Sequence, residues 1–212
     1  MYIELKNISK TIKDAEVLTD INYLFESGKV YGLQGKNGCG KTMLMRIISG
    51  LIRPTKGEVD INGKILWRDL DFPDSIGTLI ENPAFIDGYT GFKNLKMLAS
   101  IKGKINDNDI NDAMTRVGLN PDDKRKYRKY SLGMKQKLGI ACAFMEYPEI
   151  VILDEPINAI DKDGVVLVRK ILDDLKKKNK IVIIACHDAE EMKLLADEVI
   201  NMEEGKIVER AY

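Results

Sequence analysis

Cysteine is scarce in this chain, and what there is excludes more than it suggests. Cys39, Cys142 and Cys186 are odd in number, far apart, and lack the Cys-x-x-Cys spacing of a zinc or redox site. They read as free thiols of a reducing compartment. A surplus of charge is also missing. Lys plus Arg and Asp plus Glu are both 33, so no global field steers the chain toward nucleic acid or an acidic substrate. No apolar run approaches the roughly 18 residues of a membrane span. The opening MYIELKNISK is a charged, alternating segment rather than a basic region followed by an apolar one. The expectation is a soluble protein that meets any membrane through a partner. Internal repeats and low-complexity tracts are absent. What is present is 44% hydrophobic residues in 212, enough for one sizeable core and short for two independent domains.

The pattern along the chain is α/β. Tyr2 to Leu5 alternates as a strand, and Lys29 to Gln34 is an extended run that ends at a glycine-rich turn. Thr42 to Ser49 has helical composition and stops at Gly50, with Pro54 beyond it. Glu58 to Ile61 and Lys64 to Trp67 flank Asn62-Gly63, a strong hairpin signal, so the N-terminal part is partly antiparallel. From Thr90 to Tyr147 the pattern turns helical and closes at Pro148, which marks an inserted helical lobe. Ile150 to Leu153 and Ile181 to Ala185 are continuous apolar runs separated by the amphipathic Lys162 to Lys178, as expected of buried parallel strands with a crossover helix. We expect one domain over 1–212, its core formed by 1–81 and 148–212 and the lobe by about 82–147.

The chemistry concentrates at strand ends. Gly35-Lys36-Asn37-Gly38-Cys39-Gly40-Lys41-Thr42 fits G-x-x-x-x-G-K-[ST]. Glycines are needed there because backbone N–H groups must close around phosphate oxygens without intervening Cβ atoms. Lys41 adds a point charge for the β- and γ-phosphates, the following helix aims its positive end at the same anion, and the Thr42 hydroxyl is placed to ligate Mg²⁺. Asp154-Glu155 ends the apolar strand at Ile150, where a doubly wound sheet presents its site. Asp154 would hold Mg²⁺ through water, and Glu155 would orient and polarise an attacking water. His187, the only histidine, follows the strand Ile181 to Cys186, with Asp188 and Glu191 as a helix cap beyond it. That leaves its ring free to reach a γ-phosphate. The expected ligand is a nucleoside triphosphate, ATP with Mg²⁺.

At this point the chain resembles the nucleotide-binding subunits of ATP-binding cassette (ABC) transporters over essentially its whole length. Tyr130-Ser131-Leu132-Gly133-Met134-Lys135-Gln136 stands where that family places its signature, commonly Leu-Ser-Gly-Gly-Gln. Ser131 and Gly133 match; Tyr130, Leu132 and Met134 depart. Taken alone, the segment also reads as an ordinary capped core helix. The resemblance implies an ABC ATPase fold: a P-loop NTPase core of mixed sheet with an antiparallel N-terminal β part and an inserted helical lobe. It implies that Ser131 and Gly133 face the γ-phosphate held by an opposite subunit, and that Asp161, ending Asn158-Ala159-Ile160-Asp161, lies in a loop crossing the dimer interface. Glu81 falls where most members carry a Gln that contacts Mg²⁺ and senses the membrane partner; it is readable as that metal contact or as a solvated turn carboxylate. Glu81 and the SLGMKQ form of the signature are similar to the peptide-antibiotic and lantibiotic self-protection exporters. Ile12 takes the place of the aromatic residue on which many members stack adenine.

The function implied is ATP hydrolysis that powers separate integral membrane permease subunits, from the cytoplasmic face of the membrane, for export of a peptide antibiotic or drug-like amphiphile. Two cassettes, as a homodimer or a heterodimer, would close on ATP. The rival readings are a soluble ABC-type ATPase and a nucleotide-gated interaction module without transport. The basic stretch Lys124 to Tyr130 is read as a solvated loop rather than a nucleic-acid surface, and Met43, Met45, Met134 and Met145 as packing.

Overall fold

Two short apolar strands set the middle of the fold. In the computed structural model, which describes residues 1–211 apart from the side chains of 209–211, β7 (Ile150–Asp154) and β8 (Ile181–Ala185) are buried at every position. Such strands need cover on both faces. Period two sorts them: Ile150, Ile152, Ile181 and Ile183 join one apolar cluster, while Val151, Leu153, Val182 and Ile184 join the other. Each such side chain contributes about 1.5–3 kcal/mol by leaving water. A one-residue slip would exchange every partner, so the register is strongly fixed.

These strands lie in a six-stranded sheet with β3 (Lys29–Gln34), β6 (Ile76–Leu79), β9 (Glu198–Glu203) and β10 (Lys206–Ala211), in the order β10-β9-β3-β8-β7-β6. All neighbours run parallel except β9 and β10. A second, antiparallel sheet has the order β2-β1-β4-β5, from β1 (Tyr2–Ile12), β2 (Ala15–Glu26), β4 (Lys56–Ile61) and β5 (Lys64–Ile65). The β4–β5 turn has φ 52° at Asn62 and 83° at Gly63, as a two-residue hairpin of type I′ demands. β5 is shorter than the expected Lys64 to Trp67, because Trp67 itself turns to φ 60° and leaves the ladder.

Helix α1 (Lys41–Ile48) is held between the two sheets, where Leu44, Met45, Ile47 and Ile48 share a cluster with Phe25, Val59 and Ile183. On the other face lie α2 (Gly91–Lys102), α3 (Asp107–Arg116), α4 (Leu132–Phe144), α5 (Lys162–Lys177) and α6 (Ala189–Leu195). The helical segment 82–147 shares one apolar cluster with this face: Leu95 of α2, Met114 of α3 and Leu138 of α4 belong with Val151 and Val182. In the basic stretch Tyr127 and Tyr130 are buried, whereas Lys124, Lys126, Arg128 and Lys129 are exposed. Met45 and Met145 are buried in the core, and the three cysteines are unpaired. No helix among the described residues is long and apolar enough to cross a membrane.

Candidate active site

Because β3, β7, β8 and β6 are parallel, their carboxyl ends open onto one side of the sheet, and the sequence motifs follow those ends. The loop 35–40 runs from β3 into α1. A Cβ at Gly35 would meet the Met202 carbonyl at 2.2 Å, so that glycine is required by packing beneath the loop. Gly38 is different: it stands at φ 82° with nothing among the described residues within 4 Å of a built Cβ. Its upper side is open, as a phosphate cradle requires. Gly40 precedes α1 with no side-chain cap, and the first turn carries no acidic residue. The first amide groups of α1 are thus left for an external anion. Lys41 is buried, its Nζ donating to the carbonyls of Gly35 at 2.6 Å and Lys36 at 3.1 Å.

A cavity of about 290 Å³ opens above the loop, bounded by Asn37, Gly38, Lys41, Thr42, Asp154 and Glu155, with Val17 at its side. The Thr42 hydroxyl donates to Asp154 Oδ2 at 2.9 Å. Asp154 is 8% exposed. Burial pushes its carboxyl above the usual range, opposed by the Thr42 hydroxyl and the Lys41 charge and reinforced by Glu155 and Glu81. Glu155 adopts φ 50°, a left-handed conformation that is strained for this residue type. Three contacts hold it: its N–H donates to Ala185 O at 2.9 Å, its carbonyl accepts from Gln136 Nε2 at 2.8 Å, and its Oε2 lies 2.8 Å from His187 Nδ1. His187 is therefore engaged by Glu155 rather than free, as the sequence suggested. Asp188 does cap α6, accepting from the amides of Glu190 and Glu191, but the Glu191 carboxylate pairs with Arg169 at 3.0 Å and does not complete a capping box.

The other expected site residues do not line this cavity, although the Glu81 charge acts on Asp154 from the neighbouring strand end. Ile12 is 42% exposed at the tip of the β1–β2 hairpin, opposite Ala15. Ser131 caps α4 by accepting from Met134 N at 3.2 Å. A Cβ on Gly133 would lie 2.6 Å from the Ala159 carbonyl, so the start of α4 rests against the loop after Glu155. Neither residue lines the phosphate cavity of its own chain. Asp161 caps α5 through Gly164 N at 3.2 Å and accepts from Lys137 Nζ at 3.0 Å. The Glu81 carboxylate is bound by Arg46 Nη2 at 2.5 Å. Gln136, Lys137 and Arg46 were not singled out from the sequence. Each carries one polar group toward a motif residue distant in sequence, a relation that leaves no local pattern.

Chemically, a hydroxyl and a carboxylate beside a helix N-terminus and a lysine fit Mg²⁺, which takes one or two protein oxygens and completes its shell with phosphate and water. The family model described as ABC transporter matches residues 18–158, a stretch that includes the loop, Glu81, Ser131, Gly133, Asp154 and Glu155.

The chain belongs to the ABC transporter family. It is an ATP-binding subunit of that family and an ABC-type ATPase. This cassette is 48% identical over 205 residues to the uncharacterized ABC transporter ATP-binding protein YybJ of Bacillus subtilis strain 168, covering 97% of the chain and 94% of that protein. It is 38% identical to the bacitracin transport ATP-binding protein BcrA of Enterococcus faecalis, covering 98% of the chain and 68% of that protein. The lantibiotic transport ATP-binding protein SrtF of Streptococcus pyogenes is 34% identical, with 99% and 91% covered. Among solved structures, the dimeric structure of MJ0796, a bacterial ABC transporter cassette, superimposes with a TM-score of 0.89 at 23% identity, over 99% of this chain and 97% of that one. The cassette thus has the ABC ATPase fold.

Proposed function

We propose that this cassette couples Mg²⁺-dependent ATP hydrolysis to separate integral membrane permease subunits at the cytoplasmic face of the membrane, exporting a peptide antibiotic or drug-like amphiphile in self-protection. The observation that carries the catalytic half is the convergence of Thr42, Asp154, Glu155 and His187 at the mouth of the phosphate loop, with the Thr42–Asp154 bond at 2.9 Å and the Glu155–His187 contact at 2.8 Å. The export half is supported by the relatives named for bacitracin and lantibiotic transport, together with Glu81 at the usual Gln position.

In this reading the amides of 36–42 and the Lys41 ammonium hold the β- and γ-phosphates. Mg²⁺, held by Thr42 Oγ1 and through water by Asp154, with Glu81 as a further oxygen within the same strand-end cluster, would supply positive charge to the transferring phosphoryl group. Glu155 orients the attacking water and accepts its proton at Oε. His187 steadies that carboxylate and turns toward the γ-phosphate when the nucleotide arrives. Ser131 and Gly133, turned away from their own cavity, would serve the nucleotide of a second cassette, so two copies or two different cassettes close face to face on ATP. Asp161 and its loop would lie at that junction, Ile12 would give the base apolar contact, and the segment 82–147 would face the permease.

The test is phosphate release and size-exclusion mass in ATP and Mg²⁺ for the unaltered chain beside Glu155→Gln. Turnover in the former and a persistent ATP-bound dimer without turnover in the latter is the expected result. Full activity in Glu155→Gln would overturn the assignment.

A further inference from the structure

Position 81 presents a charge problem that the structure solves locally. Leu79 of β6 pairs with Leu153 of β7, so Glu81 and Glu155, each two residues further on, leave adjacent parallel strands at the same level, where strands are spaced about 4.8 Å. With Asp154 this gathers three carboxylates at the phosphate site. Among the described residues each has one side-chain partner: Thr42 for Asp154, His187 for Glu155 and Arg46 for Glu81. Only Arg46 is a permanent cation. It stands four residues after Thr42 in α1, hence on the same helix face and one turn below that hydroxyl.

The pair is not there for stability. Its side chains are 31% and 59% exposed, and ion pairs that wet contribute little to folding. What matters is its position. An unpaired carboxylate at 81 would add a third full negative charge where a triphosphate must enter, and the Glu81 charge already acts on Asp154, though less strongly than burial and Glu155 do.

We propose that Arg46 is a positioning residue of this cassette: its guanidinium holds and neutralises the Glu81 carboxylate, and so makes Glu in place of Gln compatible with triphosphate binding. This inference rests on the reading of the cavity as the nucleotide site. It predicts that Arg46 matters only through Glu81.

The experiment uses the full chain in five forms: unaltered, Arg46→Ala, Arg46→Lys, Glu81→Gln, and Arg46→Ala with Glu81→Gln. The readout is affinity for a fluorescent ATP analogue in EDTA and in Mg²⁺, with apo melting temperature as the control for folding. Arg46→Ala should weaken binding in EDTA by about 5-fold or more when Glu81 is present, and by less than about 2-fold when combined with Glu81→Gln. Arg46→Lys should retain most of the affinity. The melting temperatures should stay within about 2 °C, as for other exposed substitutions. Equal losses in both backgrounds would mean that Arg46 acts on the nucleotide or the fold directly, and would overturn the proposal; so would no loss in either. Failure of the unaltered chain to bind the analogue would overturn the nucleotide reading itself, a result that no variant comparison could imitate.

Discussion

Removing the Gln136 carboxamide should cost turnover out of proportion to stability. Gln136 is 7% exposed, and its Nε2 donates to the Glu155 carbonyl at 2.8 Å. Gln136→Ala leaves that carbonyl without its partner in a part-buried place, a loss of about 1–3 kcal/mol. For a domain of about 200 residues, each kcal/mol is worth about 2–4 °C, so a loss near the middle of that range lowers the melting temperature by about 4–8 °C. The functional effect has a separate origin. Glu155 sits at φ 50°, a conformation that costs about 1–2 kcal/mol and persists only while its surroundings enforce it. Once Gln136 no longer holds the carbonyl, the Glu155 carboxylate loses its aim, and a misplacement of about 1 Å can cost about 100-fold in rate. We expect kcat to fall at least about 10-fold while KM for ATP changes less than about 2-fold, because the phosphate loop is not touched. Gln136→Glu, which sets a carboxylate against the carbonyl oxygen, should be worse on both counts. The assay is phosphate release against ATP concentration, read beside thermal melting. A lower melting temperature with kcat within about 2-fold of the unaltered chain would refute the reasoning and reduce Gln136 to a packing residue.

Two further outcomes are expected. In EDTA, Asp154→Asn should raise the melting temperature by a few degrees and abolish the added stability conferred by Mg²⁺ with ATP. The sign follows from burial, which holds the Asp154 carboxyl above its usual range: the ionisation penalty is absent below the ordinary carboxyl value, grows as pH rises through the raised folded value, and is fully present at neutrality; a variant less stable than the unaltered chain at neutral pH in EDTA would contradict it. Gly35→Ala and Gly38→Ala should separate folding from binding, since a Cβ at 35 collides with Met202 O at 2.2 Å whereas one at 38 meets nothing within 4 Å among the described residues. The first should express poorly or melt lowest of the three; the second should melt about 2–8 °C below the unaltered chain, from the roughly 1–2 kcal/mol of its left-handed backbone, and bind ATP analogues weakly, and the reverse ranking by melting and nucleotide titration would disprove this division.

Much of the fold was legible because several segments carry their own signal. Lys29–Gln34 and Ile181–Ala185 are strands with the bounds read from the sequence, and Asn62-Gly63 makes its hairpin. These are places where local composition and burial agree. Strand β2 was missed although its second half alternates between buried and exposed positions, because the outward Leu24 makes Tyr23-Leu24-Phe25 a continuous apolar run that hides the alternation, and the strand is held as β1's partner. β6 is four residues long and half-buried for most of its length, too short to show a period. β9 begins and ends in glutamate and is defined by pairing with β3 and β10, and β10 by pairing with β9.

The sequence by itself determined the local chemistry: a glycine loop that leaves amides open, a lysine and threonine at the start of α1, two carboxylates at the end of an apolar strand, and a histidine at the end of the next. Each follows from residue type and spacing, because backbone conformation and strand ends are short-range properties. Tertiary structure alone decided which side chains meet. Thr42 bonds to Asp154 and Arg46 to Glu81 because α1 packs on the sheet, Glu155 reaches His187 because β7 and β8 are parallel neighbours, and Gln136 reaches the Glu155 carbonyl because α4 lies across β6 and β7. The physical reason is that an exposed ion pair or a single hydrogen bond is too weak to impose a pattern on the chain, so such contacts are placed by the burial of apolar faces elsewhere.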